Sequence, residues 1–173
     1  MLGKERVGGG LLRWGVVSLL LLQSALFVAC NEGIEYTADR SFPEAEWHKD
    51  TLLVFDYVNH DTLARHDLYF YIRHNQDYPH ANFYLFLAVE TPRQGWMFDT
   101  LNYMLASPTG EWYGRGFGRT KQLLLPYHKG FTFGEMGRYR FHLRHGMRYE
   151  RLLGIEDFGV QIYQDATSTD GKK

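Results

Sequence analysis

Three groups of residues in this chain could do chemistry, each of a different kind. The first is the sole cysteine, Cys30, which directly follows the run Leu26-Phe27-Val28-Ala29. A thiol there can take a lipid once the segment before it is cut away. The second is the set of eight histidines, at 48, 60, 66, 74, 80, 128, 142 and 145, whose imidazoles are metal ligands by type. The third is Gly114-Arg115-Gly116-Phe117-Gly118, a glycine-rich stretch of the kind that offers backbone N–H groups to phosphate.

Spacing argues against the second and third. His142 and His145 are three apart within a strand-like alternation, which sends them to opposite faces. His60 and His66 share a polar loop with Asp61 and Asp67, but no short motif fixes a ligand set, and no metal is expected. The glycine stretch runs through Arg119 to Pro126 with no helix start, so its glycines are expected to serve a turn or bulge that exposes Arg115 and Phe117. No serine sits in a G-x-S-x-G elbow. Glu156 and Asp157 are neighbours, expected on opposite faces of a strand and unsuited to a catalytic dyad. No catalytic residue and no cofactor are therefore expected. With 19 Lys plus Arg against 20 Asp plus Glu, nucleic acid is not an expected partner.

Cys30 keeps its chemistry. Lys4, Arg6 and Arg13 precede an apolar run from Trp14 to Ala29 that is too interrupted for the roughly 20 residues of a spanning helix. The pattern is that of a secretory signal. Small Ala29 before Cys30 is what a bacterial lipoprotein signal looks like, although Phe27 and Val28 depart from the usual Leu and small residue at those places. A buried apolar cysteine or an ordinary signal cut nearby are the competing readings. Lipidation would tether the domain to a bilayer through acyl chains on Cys30, each methylene adding about 0.8 kcal/mol. Removal of residues 1–29 leaves 144 residues with 16 basic and 19 acidic side chains, a net charge of −3. The organisation expected is a signal peptide over 1–29, a lipidated linker over 30–41, a folded domain over 42–164 and a flexible tail over 165–173.

The elements that hold the domain read as strands. Period-two patterns cover 51–58, 68–73, 83–90, 98–105, 122–127, 138–144 and 158–163, with a short strand near 111–114. Turn chemistry separates them, as in Asn59-His60-Asp61 and Ser107-Pro108-Thr109-Gly110. The expected fold is all-β, an antiparallel β-sandwich or jelly roll. Phe83 to Val89 is apolar on both faces and should be a central, covered strand. In 138–144 the set Tyr139, Phe141 and Leu143 points inward, which turns Arg138, Arg140, His142 and Arg144 to water. That row, with Trp112 and Tyr113 among the aromatics at or near strand ends, is the candidate docking surface. Those aromatics also include Trp47, Trp96, Tyr78 and Tyr149, and most of the set is expected in the core.

From about Phe42 to Tyr163 the order of motifs resembles the GldH family of gliding-motility lipoproteins of the Bacteroidota. The resemblance rests on Tyr78-Pro79-His80-Ala81-Asn82-Phe83, Asp99-Thr100-Leu101, Leu105-Ala106-Ser107-Pro108-Thr109-Gly110-Glu111-Trp112-Tyr113-Gly114, Gly137-Arg138-Tyr139-Arg140-Phe141 and Leu153-Gly154-Ile155-Glu156-Asp157-Phe158-Gly159. It implies a cell-envelope lipoprotein needed by the gliding apparatus and tied to type IX secretion. It implies no catalytic residues, and Cys30 as the lipid site. Asn31 after Cys30, in place of an aspartate that favours inner-membrane retention, makes the outer membrane the expected location. Envelope proteins of the gliding or secretion apparatus are the expected partners. A glycan-binding module on the envelope is the alternative, since sandwiches often present aromatic platforms to sugars.

Overall fold

The structure is a computed structural model that describes residues 33–164. The expected signal peptide over 1–29, the expected lipid site Cys30 and the expected tail over 165–173 lie outside the described residues. Strands dominate: β1 (Ile34–Ser41), β2 (Glu46–His48), β3 (Leu53–Asn59), β4 (His66–His74), β5 (Asn82–Glu90), β6 (Trp96–Met104), β7 (Lys121–Phe131), β8 (Gly137–His145), β9 (Arg151–Leu153) and β10 (Ile155–Gln164). They form an antiparallel sandwich. One sheet has the order β1-β10-β4-β7, the other β3-β8-β5-β6, and β2 pairs with β9.

Alternation decides which side chains meet between the sheets. Leu53, Phe55 and Tyr57 of β3, Tyr139, Phe141 and Leu143 of β8, and Phe83, Leu85, Leu87 and Val89 of β5 bury against Leu68, Phe70 and Ile72 of β4 and Phe158, Val160 and Ile162 of β10. Each such side chain contributes about 1.5–3 kcal/mol. Trp47 is fully buried, stacked on Phe42 at 4.8 Å and tilted onto Phe158 at 5.1 Å, with Nε1 donating to the Thr51 carbonyl. Tyr78 is buried as well, its hydroxyl donating to the Asn82 carbonyl at 2.7 Å.

Two glycines permit close backbone approaches. At Gly154, with φ +82°, a Cβ would fall on the Tyr78 backbone, and at Gly159 it would fall on the Ala38 carbonyl of β1. The strand boundaries differ from the sequence reading in four ways. Ile34 to Ser41, expected within the linker, is strand β1, paired along its length with β10. The three-residue β2 and β9 are too short to show a period. Glu111 to Gly114 is not a strand; only single bridges, Ala106 to Trp112 and Arg115 to Gln122, flank the glycine turn. β5 is central as expected, but its outer face is open, with Tyr84 and Phe86 39% and 48% exposed.

Candidate functional site

The outer face of the β3-β8-β5-β6 sheet is built row by row from strand register. β8 turns Arg138, Arg140, His142 and Arg144 outward, as its alternation requires. Pairing across the sheet then aligns Asp56, Arg140, Glu90 and Trp96 in one row, and Val54, His142, Ala88 and Phe98 in the next. Arg144, Phe86 and Thr100 make a third. The face therefore grades from charged to apolar.

Its charged row is internally neutralised. Arg140 donates through Nε to Asp56 Oδ1 at 2.7 Å and through Nη2 to Oδ2 at 3.1 Å, and its Nη1 lies 3.9 Å from Glu90 Oε2. That fork, foremost through its hydrogen bonds, holds the Asp56 carboxyl below its ordinary value. His142 Nε2 also lies 3.9 Å from Glu90. Among the described residues no carboxylate reaches Arg138 or Arg144 within 4.0 Å. Cationic character on this face rests on those two.

Apolar side chains dominate the other rows. Phe98 is 76% exposed, and Trp96, Phe86, Leu52 and Val54 are each exposed by more than two-fifths. Trp96 stacks on Phe98 with centroids 6.0 Å apart and planes 12° apart, and tilts onto His142 at 5.3 Å. A shallow cavity of about 420 Å³ opens between Leu52, Phe86, Phe98, His142 and Arg144. Another, of about 660 Å³, continues from Phe86 and Thr100 toward Tyr84, Met147 and Tyr149. The shared Phe86 and Thr100 make them one trough. Contiguous exposed apolar surface of this kind marks interaction sites.

The structure does not bring Trp112 and Tyr113 to this face. Trp112 is half-buried with its ring 4.5 Å from His74, and Tyr113 is exposed on the loop that follows. Sequence reasoning missed Asp56, Glu90, Leu52, Phe86 and Phe98 as members. The signal for Phe86 was present in the two-sided apolar run of β5; the others needed cross-strand register.

Glu156 and Asp157 correct the expectation of opposite faces. A β-bulge between Ile155 and Asp157 lets both reach Arg73, with Glu156 Oε2 3.2 Å from Nε and Asp157 Oδ2 2.5 Å from Nη2. A guanidinium shared by two carboxylates neutralises them structurally. The histidines are scattered: His145 buries against Trp47, His74 beside Trp112, and His66 binds Glu35 at 2.9 Å next to Tyr57. Among the described residues no three His, Cys, Asp or Glu side chains converge as metal ligands. Arg115 and Phe117 are exposed on the glycine turn, where Gly118 takes φ +65°.

Fold and face together define an antiparallel β-sandwich with one sheet face left open and partly apolar. Residues 35–162 match the profile described as GldH lipoprotein, and the chain belongs to that family. It is 34% identical over 153 residues to a gliding motility lipoprotein GldH homolog of Christiangramia forsetii, covering 84% of this chain and 93% of the relative. It is 33% identical over 153 residues to the gliding motility lipoprotein GldH of Flavobacterium johnsoniae, covering 84% and 94%. No solved structure matches. Membership is of a lipoprotein family, a membrane-anchored class of the cell envelope.

Proposed function

We propose that this chain is a non-catalytic lipoprotein, anchored in the outer membrane through Cys30, that supports gliding motility and the linked type IX secretion machinery by binding envelope proteins. The observation that carries the gliding reading is the match of residues 35–162 to the GldH lipoprotein family, with two relatives named for gliding motility. The binding mode is read from the open trough around Phe86 and Phe98, edged by Arg144. A flat, part-apolar sheet face with two unpaired arginines suits a protein partner that brings apolar side chains and a few carboxylates.

Glycan binding is the competing reading, and the exposed pair Trp96 and Phe98 is the observation in its favour. Each ring, however, spends contact on the other. A photocrosslinking residue at Phe98 in envelopes of a gliding host decides between them. The expected result is capture of motility or secretion components, lost when Phe86→Glu and Arg144→Glu are combined, with the unfolding temperature unchanged because both sites are exposed. Capture of polysaccharide alone, with tight binding to the purified glycan, would replace the protein reading.

A further inference from the structure

An apolar cavity of about 330 Å³ lies between the two sheets, at the end of the sandwich where the described chain begins and stops. Gln164 donates to the Gly33 carbonyl there at 2.8 Å, and the connections 60–65, 91–95 and 132–136 close the same end. Buried Leu68, Val89, Phe133 and Phe141 form the floor, whereas Met97 and Thr132 are exposed and frame the mouth. The cavity has the size of a small-molecule site; its floor is apolar, and Thr91, Tyr127, His128, Glu135 and Tyr139 also line it.

Sheets about 10 Å apart admit only a slender occupant. Three residue steps, through Asn31 and Glu32, lead from Cys30 to Gly33, a reach of at most about 10 Å. On the reading that Cys30 carries the anchor, a bilayer is close to this end and not to the other. Two side chains at the same end fit that neighbour: Leu63 is 82% exposed and Met136 64%, each on a loop tip without apolar cover.

We propose that this cavity takes one acyl chain of a membrane phospholipid, with Leu63 and Met136 resting in the bilayer surface. The source of the lipid, though not the shape of the site, depends on the anchoring proposed above.

The test uses the full lipoprotein reconstituted into vesicles of phosphatidylethanolamine and phosphatidylglycerol with a trace of phosphatidylcholine bearing a diazirine on its acyl chain. After irradiation, adducts are mapped by peptide mass spectrometry. Adducts at Met97 and within 127–141, reduced at least five-fold by Met97→Glu and by Thr132→Trp, support the site. Adducts scattered over the surface and indifferent to both variants overturn it. Unfolding temperatures check the variants; should Thr132→Trp not fold, exposed Met97→Glu carries the comparison. The mass of the N-terminal peptide reports the anchor separately. If Cys30 proves bare, soluble diazirine palmitate replaces the vesicles. Labelling at the same positions then keeps the cavity as an acyl site, and absence of labelling there removes it.

Discussion

His74 and His145 show what burial does to single residues in this sandwich. Both side chains are all but inaccessible, and burial, the largest cause in each, holds both imidazoles below the ordinary value of 6.5. The folded protein therefore keeps them neutral while the unfolded chain takes up protons below about pH 6.5. Protons then favour unfolding, so stability should be level above that pH and fall as the solution is acidified toward the folded-state values. Denaturant midpoints at pH 7.5 and 5.5 should differ for the parent and differ less for His74→Phe combined with His145→Phe. Arg73 presents the opposite case, a charge retained because two others need it. Replacing it with Met leaves Asp157, 4% exposed, without its cation. The expected loss is about 2–3 kcal/mol in urea unfolding, below the cost for a fully buried pair because Arg73 itself is half in solvent.

At the scale of strands, pairing depends on contacts that a single added carbon can break. Gly159 lets β10 lie against the Ala38 carbonyl, so Gly159→Ala should push β1 away from β10. Hydrogen exchange at Tyr36 to Arg40 should quicken strongly, while β3 and β8 amides in the other sheet keep their protection. Uniform exchange throughout would mean that β1 is integral to one cooperative unit. β1 is also where the sequence was least legible. Its outward Thr37, Asp39, Arg40 and Ser41 dilute the apolar signal, and its partner lies more than a hundred residues away. β8, with strict alternation from Arg138 to Arg144, was legible in full, outward row included. The missed features share one cause, dependence on distant neighbours: the bulge that turns Glu156 and Asp157 onto one arginine, and the Asp56 to Arg140 fork that neutralises one of the three arginines in an apparently basic row. Period two predicts which face a side chain takes, but not what waits there.

For the whole molecule the question is how far the anchor and the fold depend on each other. Core side chains run from Phe42 to Ile162, and ladder pairing is under way at Ile34, four residues past Cys30. The sandwich thus has its own hydrophobic source of stability, and a lipid on Cys30 would add location. Two or three acyl chains hold a domain to a bilayer durably, whereas a single chain holds it marginally. Confinement to one leaflet raises the effective concentration of the Phe86 to Phe98 face near membrane partners without any new contact. Cys30→Ala should therefore shift the protein from the membrane to the soluble fraction after signal cleavage by another route, or leave an uncleaved precursor of greater mass. Either form should unfold at the parent's temperature and still bind a purified partner through the face, while gliding fails for want of proximity. Fractionation, intact mass and a thermal melt on one preparation read all three. Retention of cleaved, unlipidated protein on membranes would show that something other than a thioether-linked lipid holds it there.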